Sequence, residues 1–578
     1  MKIAMRVYGI TFGLAGLLLV FHSVPLAAQS TTNVLTWHND NWRSGWNAHE
    51  TTLTSTNVTK DTFGKLCSAA TDGQIYAQPL IVTGVPFTVG TTTSTHDVVY
   101  VVTMKDTVYA FDANTCALLK SVSLIPVIPG CDPTTTCEKA AGCHWIGGGG
   151  CDVISPIVGI LSTPVIDAAA GTRGTTGTMY VVAETQVGSS GIISAWYHRL
   201  HALDFTNLSE KTGSPIIIQG SYPPATFVSE NHIQRPGLLL LKNAGPNGDT
   251  MVYAGFSLMD GSTIGGLPSG WIFGYDTTNL STQPAGLPYV FDTTPYGSQT
   301  DGPGGGIWEG GAGLAAGAAS ATDPTKYIYV PTADGTFDVN IGGQDYADSF
   351  VKLTPDLKPA GYFTRFNEFT RPPDTDYGSG GILLVPDNAF KSYPYIAVNA
   401  SKDGDIYVVD RGRPGGYNGV SNTNLQTITP INKIGFHNTP AYWPRHLYYT
   451  AIGGVMKSYG MNNSCTPGPI CPGRRFSKVS FPYGATPSVS SNGVLAGTGI
   501  VWAIAVPRQA QGGIPAVLYA FDATTLTELY DSSQCGTQDT AGLGVKFTVP
   551  TVANGKVYIG TQGELDVYAQ LSPARTCP

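Results

Sequence analysis

A short run of β-branched and aromatic residues returns eight times along this chain, and most copies lead into a second run that closes on an apolar residue and Asp. Val98-Val99-Tyr100 leads to Tyr109-Ala110-Phe111-Asp112, Met179-Tyr180-Val181 to His201-Ala202-Leu203-Asp204, and Met251-Val252-Tyr253 to Phe273-Gly274-Tyr275-Asp276. Tyr327-Ile328-Tyr329 leads to Phe350-Val351-Lys352-Leu353, and Tyr395-Ile396-Ala397 to Tyr407-Val408-Val409-Asp410. The last three begin at Leu447-Tyr448-Tyr449, Ile500-Val501-Trp502 and Val557-Tyr558-Ile559. Such runs fit a pleated, half-buried surface, and the Gly, Asp and Asn between them are turn residues. Helical periodicity is hardly visible. Each unit is too small to bury its own face, so neighbours must stack. The expectation is an all-β chain, an eight-bladed β-propeller of four-stranded antiparallel blades. A pair of unrelated β-sandwiches does not account for eight similar hairpins.

Composition bears on partners and address. Charged residues are 12% of the 578, about half the usual share. With 42% hydrophobic residues this is neither a disordered polyelectrolyte nor a coiled coil. A net charge of −8 without basic runs argues against nucleic acid as a partner. Lys2 and Arg6, the apolar run Ile10 to Phe21 and the small pair Ala27-Ala28 read as an export signal over residues 1–28. One propeller then occupies residues 29–578. The apolar run is too short for a comfortable membrane span and no second one follows, so no transmembrane segment is expected. The destination is periplasmic or extracellular.

Ten cysteines suit an oxidising compartment. Cys131, Cys137, Cys143 and Cys151 crowd one loop, and Cys465 and Cys471 bracket another. Disulfides are favoured over a metal site at His144, because the spacings are not those of zinc folds. No Cys-x-x-Cys-His occurs, so no covalent haem is expected. His198 and His201, three apart on a predicted strand, face opposite sides and do not form a joint ligand pair. Trp145 to Gly150 lacks the Lys-Ser/Thr ending of a phosphate loop, and no Gly-x-Ser-x-Gly elbow stands out.

The hairpin repeat resembles the pyrroloquinoline quinone (PQQ) repeat of the quinoprotein alcohol dehydrogenases. So do Trp37-His38-Asn39-Asp40 through Arg43, then Thr52-Leu53-Thr54 and Asn57-Val58, and Asp72-Gly73 through Pro79-Leu80-Ile81. The resemblance runs over nearly the whole mature chain and implies site residues. Gly304-Gly305-Gly306-Ile307-Trp308 is similar to the segment whose Trp floors the quinone, and an indole offers a large flat apolar face. Ala183-Glu184 and Ala333-Asp334-Gly335 stand where the family has calcium ligands, with Asp334 replacing an Asn. In Asp374-Thr375-Asp376-Tyr377-Gly378, Asp376 falls on the family's catalytic Asp, which accepts the alcohol proton. A carboxylate suits this work if burial raises its pKa towards the working pH, with a nearby cation modulating it. In Ser401-Lys402-Asp403-Gly404, Lys402 stands where a cation hydrogen-bonds the quinone oxygens. The bland readings are a blade-packing Trp, turn or rim carboxylates, and a solvated lysine.

Departures lie on the side of the first two hairpins. Tyr76 replaces an acid near the cofactor, the adjacent Cys-Cys pair is missing, and a Thr-rich wall reads Leu161-Ser162-Thr163-Pro164. The resemblance implies an exported PQQ- and Ca²⁺-dependent oxidation of an alcohol or aldose, with electrons leaving to a separate acceptor. The rival is a non-catalytic propeller serving as a binding or assembly scaffold. A third reading, polysaccharide binding, rests on the 29 Tyr and 9 Trp alone.

Overall fold

The computed structural model describes residues 31–131, 137–142, 154, 156–168, 176–189, 192–258, 269–280, 289–297, 304–430, 434–471, 473, 475–506 and 513–577. The export signal, Cys143, His144, Cys151 and the stretch Trp145 to Gly150 lie outside the described residues. Every hairpin read from the recurrence is present as an antiparallel pair. Among the described residues they build eight sheets of four or more strands, plus a two-stranded ribbon of Ser221–Tyr222 and Ala225–Thr226. The chain is all-β apart from short 3₁₀ turns.

The first sheet runs outwards from Leu80–Val89 through Thr92–Val102 and Thr107–Asp112 to Leu118–Ser123. The innermost strands of the next six are Val165–Ala168, Leu239–Leu241, Ala315–Ala318, Leu383–Leu384, Ala441–Trp443 and Ser488–Ser490. In the eighth, Thr551–Ala553, Lys556–Gly560 and Gln562–Gln570 take their outermost partner from the other end of the chain. That partner is Phe63–Gln74, antiparallel from Phe63 opposite Gln570 to Gln74 opposite Gln562.

Alternation along the strands drives the packing, because successive side chains point to opposite faces. In the second sheet Met179 and Val181 pack on Val99 and Val101 of the first, while Tyr180 and Val182 pack on Val252 and Ala254 of the third. Met251 and Tyr253 of the third meet Ile328 and Val330 of the fourth, whose Tyr329 and Phe350 meet Ala397 and Tyr407 of the fifth. The pattern continues through Val398 and Tyr449, Tyr448 and Val501, and Trp502 and Val557. Tyr558 and Val567 of the eighth sheet then return to the core of the first.

A segment ahead of the first sheet stitches the innermost strands together. Ile81 N–H donates to Val34 O at 2.9 Å, Ile166 to Leu35 at 2.8 Å, Ala316 to Asn41 at 2.7 Å and Leu384 to Trp42 at 2.8 Å. Tyr442 donates to Ser44 at 2.8 Å and Val489 to Gly45 at 2.7 Å. Asn41 Nδ2 reaches Leu240 O at 2.8 Å and Asn47 Nδ2 reaches Val552 O at 3.0 Å. The pin of this thread is the buried Arg43, which donates to Leu314 O from Nε at 3.0 Å and Nη2 at 2.7 Å, and from Nη1 to Thr36 Oγ1 at 2.8 Å and Trp37 O at 3.0 Å.

Disulfides join Cys131–Cys137 and Cys465–Cys471 within their loops, pairings the sequence left open. Two more, Cys67–Cys116 and Cys535–Cys577, bridge segments far apart in sequence. No helix among the described residues is long and apolar enough to cross a membrane.

Arg43→Met strips partners from several buried carbonyls, and a loss of roughly 3 kcal/mol or more is expected. Urea denaturation checks this, and a near-neutral result rejects Arg43 as the pin.

Candidate functional site

Gly304 to Trp308 lies in the link from the third sheet to the fourth and is held against the loop after strand Lys326–Pro331. Gly305 N–H donates to Asp334 O at 2.8 Å, and Ala333 N–H to Gly306 O at 2.9 Å. Gly305 has φ 61°, and a Cβ there would lie 2.7 Å from Thr293 Oγ1, so the turn requires glycine. Two residues past Trp308, a Cβ on Gly310 would lie 1.9 Å from His437 O and 3.3 Å from Ser379 O. The same end of the fold thus receives the links that carry Asp376 and His437.

Asp376 precedes the fifth sheet, where Asp334 N–H donates to its Oδ1 at 3.1 Å. Lys402 follows strand Ile396–Ala400; its N–H donates to Asp376 O at 3.0 Å. Its Nζ lies 3.1 Å from Asp376 Oδ2 and also bonds Asp374. Asp334, Asp376 and Lys402 are therefore tied into one connected set, to which Gly305 and Gly306, just ahead of Trp308, are bonded through the backbone.

At Asp376 burial and a cation compete, and the cation wins. Burial does work to raise the Asp376 pKa, but the Lys402 ammonium and the Asp334 N–H outweigh it and hold the carboxyl below its usual range. Burial lowers Lys402, and Asp376 with Asp374 more than offsets that, so it stays charged. Asp334 is pushed up to about 8, first by burial and then by Asp348 and Asp376, with Arg371 only partly opposing. Two groups here carry no sequence signal. His437 is pushed down to about 4 by burial and by Lys402, so its ring is neutral. Glu309, next to Trp308, is buried with both carboxyl oxygens unpartnered, and burial raises its pKa well above normal despite Arg43.

The calcium set does not assemble. Asp334 Oδ1 lies 2.8 Å from Arg371 Nη1, and Oδ2 accepts the Asp374 N–H at 2.7 Å. Arg371 also pairs with Asp348 and Glu368. Glu184, on the second sheet, is buried and faces His198 Nε2 at 3.1 Å, its neighbour across the strand pair. His201 faces Glu210 instead. Among the described residues no three His, Cys, Asp or Glu side chains are grouped to hold a metal. Calcium needs six to eight oxygens, and both Asp334 carboxyl oxygens are already engaged by Arg371 and the Asp374 N–H, so these residues do not fit it.

The apolar side is richer than the sequence suggests. Half-buried Trp308 packs with Tyr76, Leu161, Trp196, Ile233 and Val545. The Phe547 ring stands perpendicular to it at 6.2 Å. Arg235 is fully buried over the rings of Tyr76 at 5.8 Å and Phe547 at 5.9 Å. It donates to Leu161 O at 3.0 Å and Gly310 O at 3.2 Å, its Nε is unpartnered, and no carboxylate of the described residues is paired with it. Burial brings it down to about 10, still charged. Tyr76, the departure at the presumed acid position, is pushed up to about 12 by burial and stays neutral. In chemistry, a flat indole and a guanidinium with no paired carboxylate suit a planar anionic group such as PQQ, while Phe547 occupies the space beside them.

Two solved structures share this fold over nearly the whole chain. A quinohemoprotein alcohol dehydrogenase from Comamonas testosteroni is 16% identical at a TM-score of 0.52, covering 94% of this chain and 81% of its own. A europium-containing methanol dehydrogenase is 14% identical at a TM-score of 0.54, covering 93% and 98%. At such identities the likeness is one of fold. No protein-family model and no curated protein matches the sequence.

The raised Asp334 pKa has a sign. Its contribution to stability is complete below the unfolded value near 4 and is lost as pH rises through about 8. The stability of Asp334→Asn relative to wild type therefore increases between pH 5 and pH 8.5. Paired denaturation curves check this, and a pH-independent difference refutes it.

Proposed function

We propose that this chain is an exported, eight-bladed quinoprotein propeller that oxidises an alcohol or aldose with PQQ and passes electrons to a separate acceptor. The observation that carries the reading is the meeting of Asp334, Asp376 and Lys402 through one set of hydrogen bonds and ion pairs, with the segment leading to Trp308 held to the same loop by the Gly305 N–H. The eight sheets packed in succession, with the last returning to the first, support the blade count. Paired cysteines support export, and the lack of a Cys-x-x-Cys-His motif supports an external acceptor.

When bound, PQQ supplies a two-electron oxidant. Trp308 offers the flat wall. Asp376, ionised beside Lys402, accepts the substrate hydroxyl proton at a carboxylate oxygen. Its lowered pKa makes it a weaker base than a desolvated carboxylate but keeps it ionised further into the acid range, so turnover does not wait on its deprotonation near neutral pH. Lys402 and Arg235 provide positive charge, and no calcium is assigned.

A second reading, a non-catalytic binding scaffold, is favoured by two observations. Arg371 and His198 already engage the presumed ion ligands, and Phe547 fills space beside Trp308.

Reconstitution with PQQ separates the two. The dehydrogenase reading expects a bound quinone absorbance and alcohol-dependent dye reduction. Asp376→Asn then lowers kcat by roughly 10²–10⁴ while quinone binding changes little. Absence of both signals in the wild-type protein leaves the scaffold.

A further inference from the structure

Phe547 lies in the link from the seventh sheet to the eighth. Its ring centre is 6.2 Å from that of Trp308, 6.4 Å from that of His437, 6.5 Å from that of Tyr483 and 5.9 Å from the Arg235 guanidinium carbon. Those four groups come from links before the third, fourth, sixth and seventh sheets. A single ring within reach of all of them sits at the hub.

Its backbone is held at φ 63°, a conformation disfavoured for a bulky residue and open to glycine. The ring is half-buried, and the cavity beside it, lined by Asn438, Tyr483 and Thr548, has a volume of about 10 Å³. That holds one water at most.

Withdrawal of the ring leaves a space walled by Trp308, Tyr76 and Tyr483, all flat, with Arg235 on one side. The Arg235 guanidinium donates to two carbonyls, its Nε has no acceptor, and no carboxylate of the described residues pairs with it; the Lys546 ammonium lies over the outer Tyr483 ring at 4.7 Å. A buried cation without a counter-ion is costly unless a ligand supplies one.

We propose that Phe547 is a removable plug of a site for a flat aromatic carboxylate, and that its withdrawal exposes the Trp308 wall and the Arg235 guanidinium to that ligand. The choice of PQQ as probe rests on the quinoprotein reading; the plug itself rests on the hub geometry.

Equilibrium dialysis of metal-free full-length protein against PQQ, without alcohol, tests the proposal. A plug closed about nine-tenths of the time weakens apparent affinity about tenfold. Phe547→Gly is therefore expected to bind PQQ at least tenfold more tightly than wild type. Phe547→Trp is expected to bind no more tightly than wild type, and adding Arg235→Met to Phe547→Gly to abolish the gain. Circular dichroism and thermal melting establish folding. If the glycine variant does not fold, Phe547→Leu is judged by the same comparison. Equal or weaker binding by a folded, plug-reduced variant overturns the proposal. Tight binding by Phe547→Gly without alcohol-dependent dye reduction keeps the plug and removes the dehydrogenase reading. Wild-type protein that binds as tightly as Phe547→Gly removes the plug, whether or not alcohol is oxidised.

Discussion

The pairing of Phe63–Gln74 with Gln562–Gln570 is the constraint on which the other sheets depend. Each sheet buries one face on its predecessor and one on its successor, so an open series would leave two apolar faces in water. By lending the eighth sheet its outer strand, the N-terminal region fixes both ends of the chain in one hydrogen-bonded unit. Lys65 reinforces the join through Asp566 at 2.6 Å, and Cys535–Cys577 tethers the segment beyond it.

With the sheets fixed, the links between them are free to carry polar chemistry. The cluster around Asp334 and Asp376 draws on the link that carries Asp376 and on the hairpin loops of the fourth and fifth sheets that carry Asp334 and Lys402, and its charges are balanced locally. Arg365 lies 3.0 Å from Asp348 and 2.9 Å from Asp403, while Arg371 and Lys402 take the remaining acids. Several carboxylates held this close in a half-buried space cannot all ionise unaided. The result is one acid pushed up, Asp334, beside one held down, Asp376. Such a separation gives neighbouring carboxyls different protonation states near neutrality.

How much of this was legible follows from range. The hairpins were visible because a strand writes its period into a few adjacent residues, as in Val98–Tyr100 and Tyr109–Asp112. Asp376 and Lys402 were findable because each sits in a local turn signature. Glu184 was placed correctly on a strand, yet its partner depends on which residue of the neighbouring strand stands opposite, and that is His198. Arg235, Glu309, His437 and Phe547 matter only because distant links meet, and nothing within ten residues of any of them announces it. The direction of the Asp376 shift needed the fold, since burial and a nearby cation were both foreseeable but their balance rests on the 3.1 Å approach of the ammonium. The long-range disulfide Cys67–Cys116 joins the outer strand of the last sheet to a turn of the first, a proximity that exists only in the closed ring.

The stitching segment from Val34 to Asn47 has a temporal consequence. It emerges first from the ribosome or the export channel, while its hydrogen-bonding partners arrive in order, from Ile81 to Val552. Each newly released sheet therefore meets a waiting strip of backbone, so the nascent chain carries its own running template for assembly. Only the final edge, where Gln562–Gln570 meets Phe63–Gln74, must wait nearly the whole length of synthesis, so closure is the contact of longest sequence separation.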